Sequence, residues 1–205
     1  MAAPRRPNPD RIVDAAMALA AQSRWRDVTL ADIAAEAKIS LAQLHEAFAS
    51  KAAIVAALGD RVDRAVLAGT DPETSLEPVH DRLLDVLMRR LDALAPYKEG
   101  VASILREAPC DPAGALCAAP RLVRAMAWCL EAAGIKSAGL AGRLRAKGLA
   151  AIYLSTLVVW LRDDSPDLGR TLAHLDKSLR RAERLAMALS LAPRSERVEG
   201  DEAAA

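Results

Sequence analysis

Residues 28–48 read VTLADIAAEAKISLAQLHEAF, and this stretch decides the fold. Thr29 stands just before an apolar-periodic run, where its hydroxyl can cap a short helix over 30–37. Ser40, followed three residues later by Gln43, is a capping-box pair that starts a second short helix over 41–48. Helices this short are not stable alone and need outer helices to bury their apolar faces. Asn8-Pro9 opens one over 9–22, with Ile12, Val13, Ala16, Leu19 and Ala20 on one stripe. Ser50 caps another over 51–68, with Ile54, Val55, Leu58, Val62 and Val66 on its stripe. Leu30, Ile33, Ala37, Ile39, Leu44 and Phe48 then fall where a three-sided core needs apolar groups, and Ala34 is small where two helices cross closely. This is helix-turn-helix logic: the first short helix braces the second, whose outer face can enter a major groove about 12 Å wide.

Outward from that module the spacing stays helical. Asp71-Pro72 stops the preceding helix, and Thr74 with Glu77 suggests another capping box. Helices are expected near 77–94, 97–107, 113–132 and 138–162. Ser165-Pro166-Asp167 reads as cap, first-turn proline and first-turn acid, starting a last helix that runs to Leu191. No segment alternates as a strand does, and no internal repeat is visible. The expected fold is all-α with about nine helices: a helix-turn-helix domain over 9–68 and a second helical domain over 74–191. The ends, 1–8 and 192–205, are expected to be disordered tails.

Composition narrows the function. Of 205 residues, 52% are hydrophobic but only 3% aromatic, so alanine and leucine carry the core and favour helix. The net charge of +1 supplies no bulk attraction for nucleic acid. Residues 1–67 hold nine Lys/Arg against eight Asp/Glu, again +1, so any DNA affinity must come from local placement. Cys110, Cys117 and Cys129 form no CxxC pair and read as inert buried thiols. No apolar run of signal-peptide type follows Arg5 and Arg6. The apolar stretch over 149–161 is shorter than the ~20 residues a membrane span needs, and a cytoplasmic protein is expected. His45, His80 and His174 show no metal-ligand spacing, and GxSxG, P-loop and GxGxxG motifs do not occur. The chain therefore reads as a non-enzyme with no metal and no cofactor.

Arg11-Ile12-Val13 with Ala15-Ala16, then Val28-Thr29-Leu30, Ile33-Ala34, Ile39-Ser40, Leu44, Phe48 and Ser50-Lys51 follow a known signature in order and spacing. On these points the chain resembles the Tet-repressor family of transcription regulators over about 9–60. The resemblance implies that Thr29, His45 and Lys51 lie against DNA phosphates, and Ser40 is counted among the DNA-binding residues. It places Leu41, Ala42 and Gln43 at base edges, with Arg5 and Arg6 adding contacts from the arm. Gln43 is the one side chain there that can bond adenine bidentately. Three positions depart from the family pattern: Lys38 and Trp25 stand where glycine is usual, and His45 where tyrosine is. A lysine held at positive φ costs ~1 kcal/mol. The resemblance also implies that 74–191 is a ligand-binding and dimerisation domain and that the protein is a homodimer on a near-palindromic double-stranded operator, with helices 138–162 and 165–191 pairing across a two-fold axis. Leu175 and Leu179 would sit in that interface, and a small apolar effector would control binding.

A second resemblance covers about 145–185. Tyr153, Thr156, Trp160, Asp164, Ser165 and Leu175 are similar to points in the lipid-binding accessory proteins of coenzyme Q biosynthesis. These proteins share the fold without the DNA role, which implies an apolar cavity for an isoprenoid or another lipid. Under either resemblance Met88, Met126, Trp128, Tyr153 and Trp160 are the candidate pocket lining. At helical spacing such residues more commonly form plain core.

Overall fold

A computed structural model of the chain describes residues 8–69 and 77–191. Among these residues it has nine α-helices and no strand: α1 (Pro9–Gln22), α2 (Leu30–Glu36), α3 (Leu41–Ala47), α4 (Lys51–Ala68), α5 (Val79–Leu94), α6 (Lys98–Glu107), α7 (Pro112–Ala132), α8 (Gly139–Trp160) and α9 (Gly169–Leu191). Short 3-10 turns over Ala95–Tyr97 and Ala108–Cys110 lead into α6 and α7. The expected break at Asp71-Pro72, the capping role of Thr74, Arg5, Arg6 and nearly all of the two tails lie outside the described residues.

The caps in the first half form as their sequences require. The Asn8 side chain accepts from the Asp10 amide at 3.0 Å, and the Ser50 side chain from the Ala53 amide at 3.2 Å. Thr29 and Ser40 both stand in reciprocal capping boxes, with Asp32 and Gln43 respectively. The turn from α2 to α3 is a left-handed helix ending. The Ile39 amide reaches back to the Ala34 carbonyl at 3.0 Å, the Lys38 amide to Ala35 at 3.0 Å, and Lys38 has φ 55°. The expected strain at this lysine is present.

The last helix begins differently from expectation. Residues 165–168 form a turn with Leu168 at φ 49°, and α9 starts at Gly169 rather than at Pro166. The cap comes from upstream. Asp163, only 2% exposed, accepts from the Thr171 amide at 2.8 Å and the Thr171 hydroxyl at 2.7 Å through Oδ2. Its Oδ1 accepts from the Ser165 hydroxyl at 2.5 Å. The hydroxyls of Ser165 and Thr171 hold this carboxyl far below the usual aspartate range. A carboxylate at the positive end of α9 also suits the helix dipole.

A continuous buried core runs from Ile12, Ile33, Leu44 and Ile54 in the first four helices to Leu87, Met126, Leu149, Tyr153 and Trp160 in the later ones. α1 packs along α6 as well as on α2 and α4, while α4 packs on α5 and α7. Gly100 makes the α1–α6 approach possible, because a Cβ there would stand 2.6 Å from Met17 Cε and 2.8 Å from the Met17 carbonyl oxygen. Leu175 and Leu179 belong to this same core, at 0% and 3% exposure, so they cannot be the dimer contacts expected of them. No helix among the described residues is long and apolar enough to cross a membrane.

Candidate nucleic-acid interface

α3 is held to the molecule by one fully buried side chain. Leu44 is 1% exposed, while Ala47 and Phe48 are half-buried beside it. Burying a leucine is worth roughly 1.5–3 kcal/mol, enough to seat a seven-residue helix whose end is capped. The remaining face points outward: Leu41 is 55% exposed, and Ala42, His45 and Glu46 are exposed with it. An isolated leucine this open on a helix with one buried contact leaves the outer face free for a partner.

Four of the expected contact residues already have work within the chain, Ser40 as the cap of α3, where its hydroxyl accepts from the Gln43 amide at 3.1 Å. Gln43 Oε1 accepts from the Ser40 amide at 2.9 Å, which leaves its amide NH2 and one lone pair of Oε1 to reach a base. The Thr29 hydroxyl donates to Asp32 Oδ2 at 2.6 Å and accepts from the Asp32 amide at 3.1 Å. Lys51 is the largest departure from expectation. Its ammonium donates to the Trp25 and Val28 carbonyls, each at 2.5 Å, and stands 4.3 Å from the centre of the Trp25 ring. Two of its three donors are therefore committed to the α1–α2 loop, and desolvation keeps its pKa below the usual lysine range. Trp25, a residue outside the family pattern, is what this lysine packs on.

The loop and α1 are also pinned to later helices through residues that sequence reasoning missed. Ser103 on α6 accepts from the Trp25 amide at 3.2 Å and donates to the Ser23 carbonyl at 3.0 Å, and Glu107 accepts from the Arg26 amide at 2.7 Å. Arg61 on α4 reaches Asp14 and the Tyr97 hydroxyl, both at 2.6 Å, and the Asp10 carbonyl at 2.8 Å. Arg11 donates to the Ala37 carbonyl at 3.2 Å, bracing the end of α2. These pins join partners far apart in the chain, so no local pattern announces them.

In the helical region, Met126, Tyr153 and Trp160 are buried at 0%, 2% and 1% exposure, and Met88 is half-buried against the same core. Trp128 does not join them. Its side chain is 52% exposed on the outside of α7, which removes it from an internal lining. Burial pushes the Tyr153 hydroxyl up to about 12, against the opposing pull of the Arg90 guanidinium. Cys129 is buried, as expected of an inert thiol, but Cys110 and Cys117 are exposed.

Residues 12–58 match the family model described as bacterial regulatory proteins, tetR family, and residues 119–186 match the COQ9 family model. A TetR transcriptional regulator from Nitrosomonas europaea ATCC 19718 has a similar structure at 30% identity and TM-score 0.71, the match covering 86% of this chain and 98% of that one. The chain belongs to the TetR family of transcriptional regulators. A TetR regulator from Rhodococcus sp. RHA1 shares the fold at 20% identity and TM-score 0.61, covering 84% of this chain and 93% of its own. One from Streptomyces coelicolor does so at 18% and 0.56, covering 90% and 85%. No curated protein sequence matches. The TetR signature lies on α1–α4, around the exposed face of α3, while the COQ9 match lies on α7–α9.

Proposed function

We propose that this TetR-family protein is a repressor that binds a near-palindromic DNA operator as a homodimer and is controlled by a small apolar effector. The observation that carries this reading is the exposed outer face of α3, capped at its start and anchored by Leu44 with Ala47 and Phe48 beside it. Leu41, Ala42 and the free amide of Gln43 face base edges. Ser40, whose hydroxyl proton is uncommitted by any bond described above, approaches a phosphate together with His45, Thr29 and the third donor of Lys51. Thr29 reaches a phosphate by turning its proton away from Asp32. One such helix makes too few contacts for specificity, so two are needed about one DNA turn, ~34 Å, apart.

The dimer reading is supported by α8. Its inner face is buried, yet Leu140, Leu144, Leu154 and Val158 project outward at 86%, 66%, 44% and 51% exposure. A helix apolar on both sides calls for a second layer, and Leu172 and Leu185 on α9 extend the same need. The effector sits among Met88, Met126, Tyr153 and Trp160. Its message reaches α3 through the seams of α6 on α1 and of α5 and α7 on α4. A shift there changes the spacing of two recognition helices, and affinity falls when they miss successive grooves.

The COQ9 match over 119–186 favours a second reading, a lipid- or isoprenoid-binding protein of this fold that does not bind DNA. One experiment separates the two: a salt titration of binding to the DNA upstream of the protein's own gene. A steep fall of affinity with salt together with sequence preference supports the repressor. No binding at ~50 mM salt, with lipid co-purifying, supports the carrier.

A further inference from the structure

The outer face of α3 carries one charged group that the fold does not use. Glu46 is exposed on the last turn of α3, four residues beyond Ala42 and three beyond Gln43. Residues at those spacings share a helix face, so the carboxylate stands one turn along from Ala42, whose methyl group is too short to block it. Leu44 and Ala47 turn the other way, toward the core. Among the described residues the Glu46 carboxylate has no hydrogen-bond or ion-pair partner. The next lysine along the chain, Lys51, turns its ammonium to the Trp25 and Val28 carbonyls and does not neutralise it. α3 itself holds no lysine or arginine.

What such a carboxylate can do in a major groove follows from the chemistry of the groove. Phosphates on both walls repel it, and entry strips away its water, which costs free energy unless a donor replaces that water. Base edges offer two donors there, the N4 amino group of cytosine and the N6 amino group of adenine. Adenine sets its N7 acceptor beside N6, where it opposes the second carboxylate oxygen, while cytosine has only a C–H beside N4. Guanine presents N7 and O6, and thymine presents O4 and a methyl group, so both leave the carboxylate unmet. Arginine and lysine are the usual readers of guanine, and their absence from α3 removes the competing preference.

We propose that Glu46 fixes one base of each operator half-site: its carboxylate accepts from the N4 amino group of a cytosine and excludes guanine, thymine and adenine at that position. This role rests on the DNA-binding reading given above and names a base that the recognition helix demands. Gln43, one turn earlier, reads a separate base pair, so the two residues set different positions of the half-site. The negative charge weakens attraction to DNA at large and confers selectivity in exchange, since its repulsion is offset only where a cytosine meets it.

The test uses the full-length protein with its Glu46→Ala and Glu46→Gln variants. Each is offered a library of random double-stranded DNA at ~50 mM salt, and affinities are then measured for the selected duplex and its single-base variants. The wild type selects a half-site with a fixed cytosine, and exchanging that C·G pair for T·A weakens binding about tenfold. Glu46→Ala loses the preference at that position, keeps the rest of the site, and binds unrelated duplexes at least as tightly as the wild type. Glu46→Gln moves the preference from cytosine to adenine, which an amide can bond through N6 and N7. All three proteins melt alike, because the side chain is exposed. A selected site without a fixed cytosine, or a cytosine preference that survives Glu46→Ala, overturns the role of Glu46 and leaves the DNA-binding reading standing. A variant that melts clearly lower shows that the carboxylate serves the fold and overturns it too. If the wild type retains no duplex at all, the DNA-binding reading and the role of Glu46 fall together.

Discussion

Replacing Lys51 by methionine keeps the aliphatic stem and removes the ammonium that ties the α1–α2 loop to the start of α4. Two hydrogen bonds are lost, to the Trp25 and Val28 carbonyls, along with a cation over the Trp25 ring. A hydrogen bond to a charged group is worth about 1.5–3 kcal/mol when well shielded. Lys51 is only half-buried and already bears a desolvation penalty, and water can reach a loop carbonyl, so the net loss is about 1–2 kcal/mol. For a chain of this size that lowers the melting temperature by roughly 3–6 °C. The third donor is what remains for DNA, so the same variant should also flatten the salt dependence of operator binding by about 0.9 per protomer. Thermal melts and a salt titration on one preparation read both effects. A flatter salt slope with an unchanged melting temperature would falsify the clamp, since it means the ammonium serves DNA alone; an unchanged slope with a lower melting temperature leaves the lysine a purely structural part.

Two further perturbations address the helical region. Leu154→Glu with Val158→Glu places charge on the exposed face of α8 and is expected to give monomers in ultracentrifugation, with melting of the isolated chain within about 0.5 kcal/mol of the original because both side chains are open; persistent dimers would put the interface on another surface. His80 joins α5 to α9 by bonds of 2.9 Å from Nε2 to Asp176 and from Nδ1 to Glu183, with Arg180 also on that helix. Burial alone would push its pKa down, but the two carboxylates outweigh that and Arg180, leaving it above the ordinary value. Both ring nitrogens can donate only in the imidazolium, so its contribution, about 1 kcal/mol, is complete below the unfolded-state pKa near 6.5 and fades as pH rises through the higher folded value. Melts across this range should lose that increment in the wild type and not in His80→Gln, and identical profiles for the two would dismiss the link.

The helix-turn-helix was legible because its signals are local. A hydroxyl three residues from Asp32 or Gln43 can only close a capping box if the helix starts there, and Leu44 is the one α3 position that faces the brace. Even the strained Lys38 followed from its place in the turn. The start of α9 was misread for a complementary reason. Ser165-Pro166-Asp167 carries every local sign of a helix start, but Asp163, two residues upstream of Ser165, takes the hydroxyls of both Ser165 and Thr171 and moves the start to Gly169.

The chain's linear order determined which segments are helical, where most of them begin and which stripe of each is apolar, since these follow from spacing and from caps within four residues. It could not say which apolar stripe turns inward twice over. Leu175 and Leu179 rather than Leu154 and Val158 are covered by the chain itself, and Trp128 lies outside while Tyr153 lies within. Nor could it pair Arg90 with Asp63, Ser103 with Trp25, or Lys51 with two carbonyls. Those meetings join residues tens of positions apart, and only the packing of helices against one another decides which charged or polar group loses its water and what it finds in exchange.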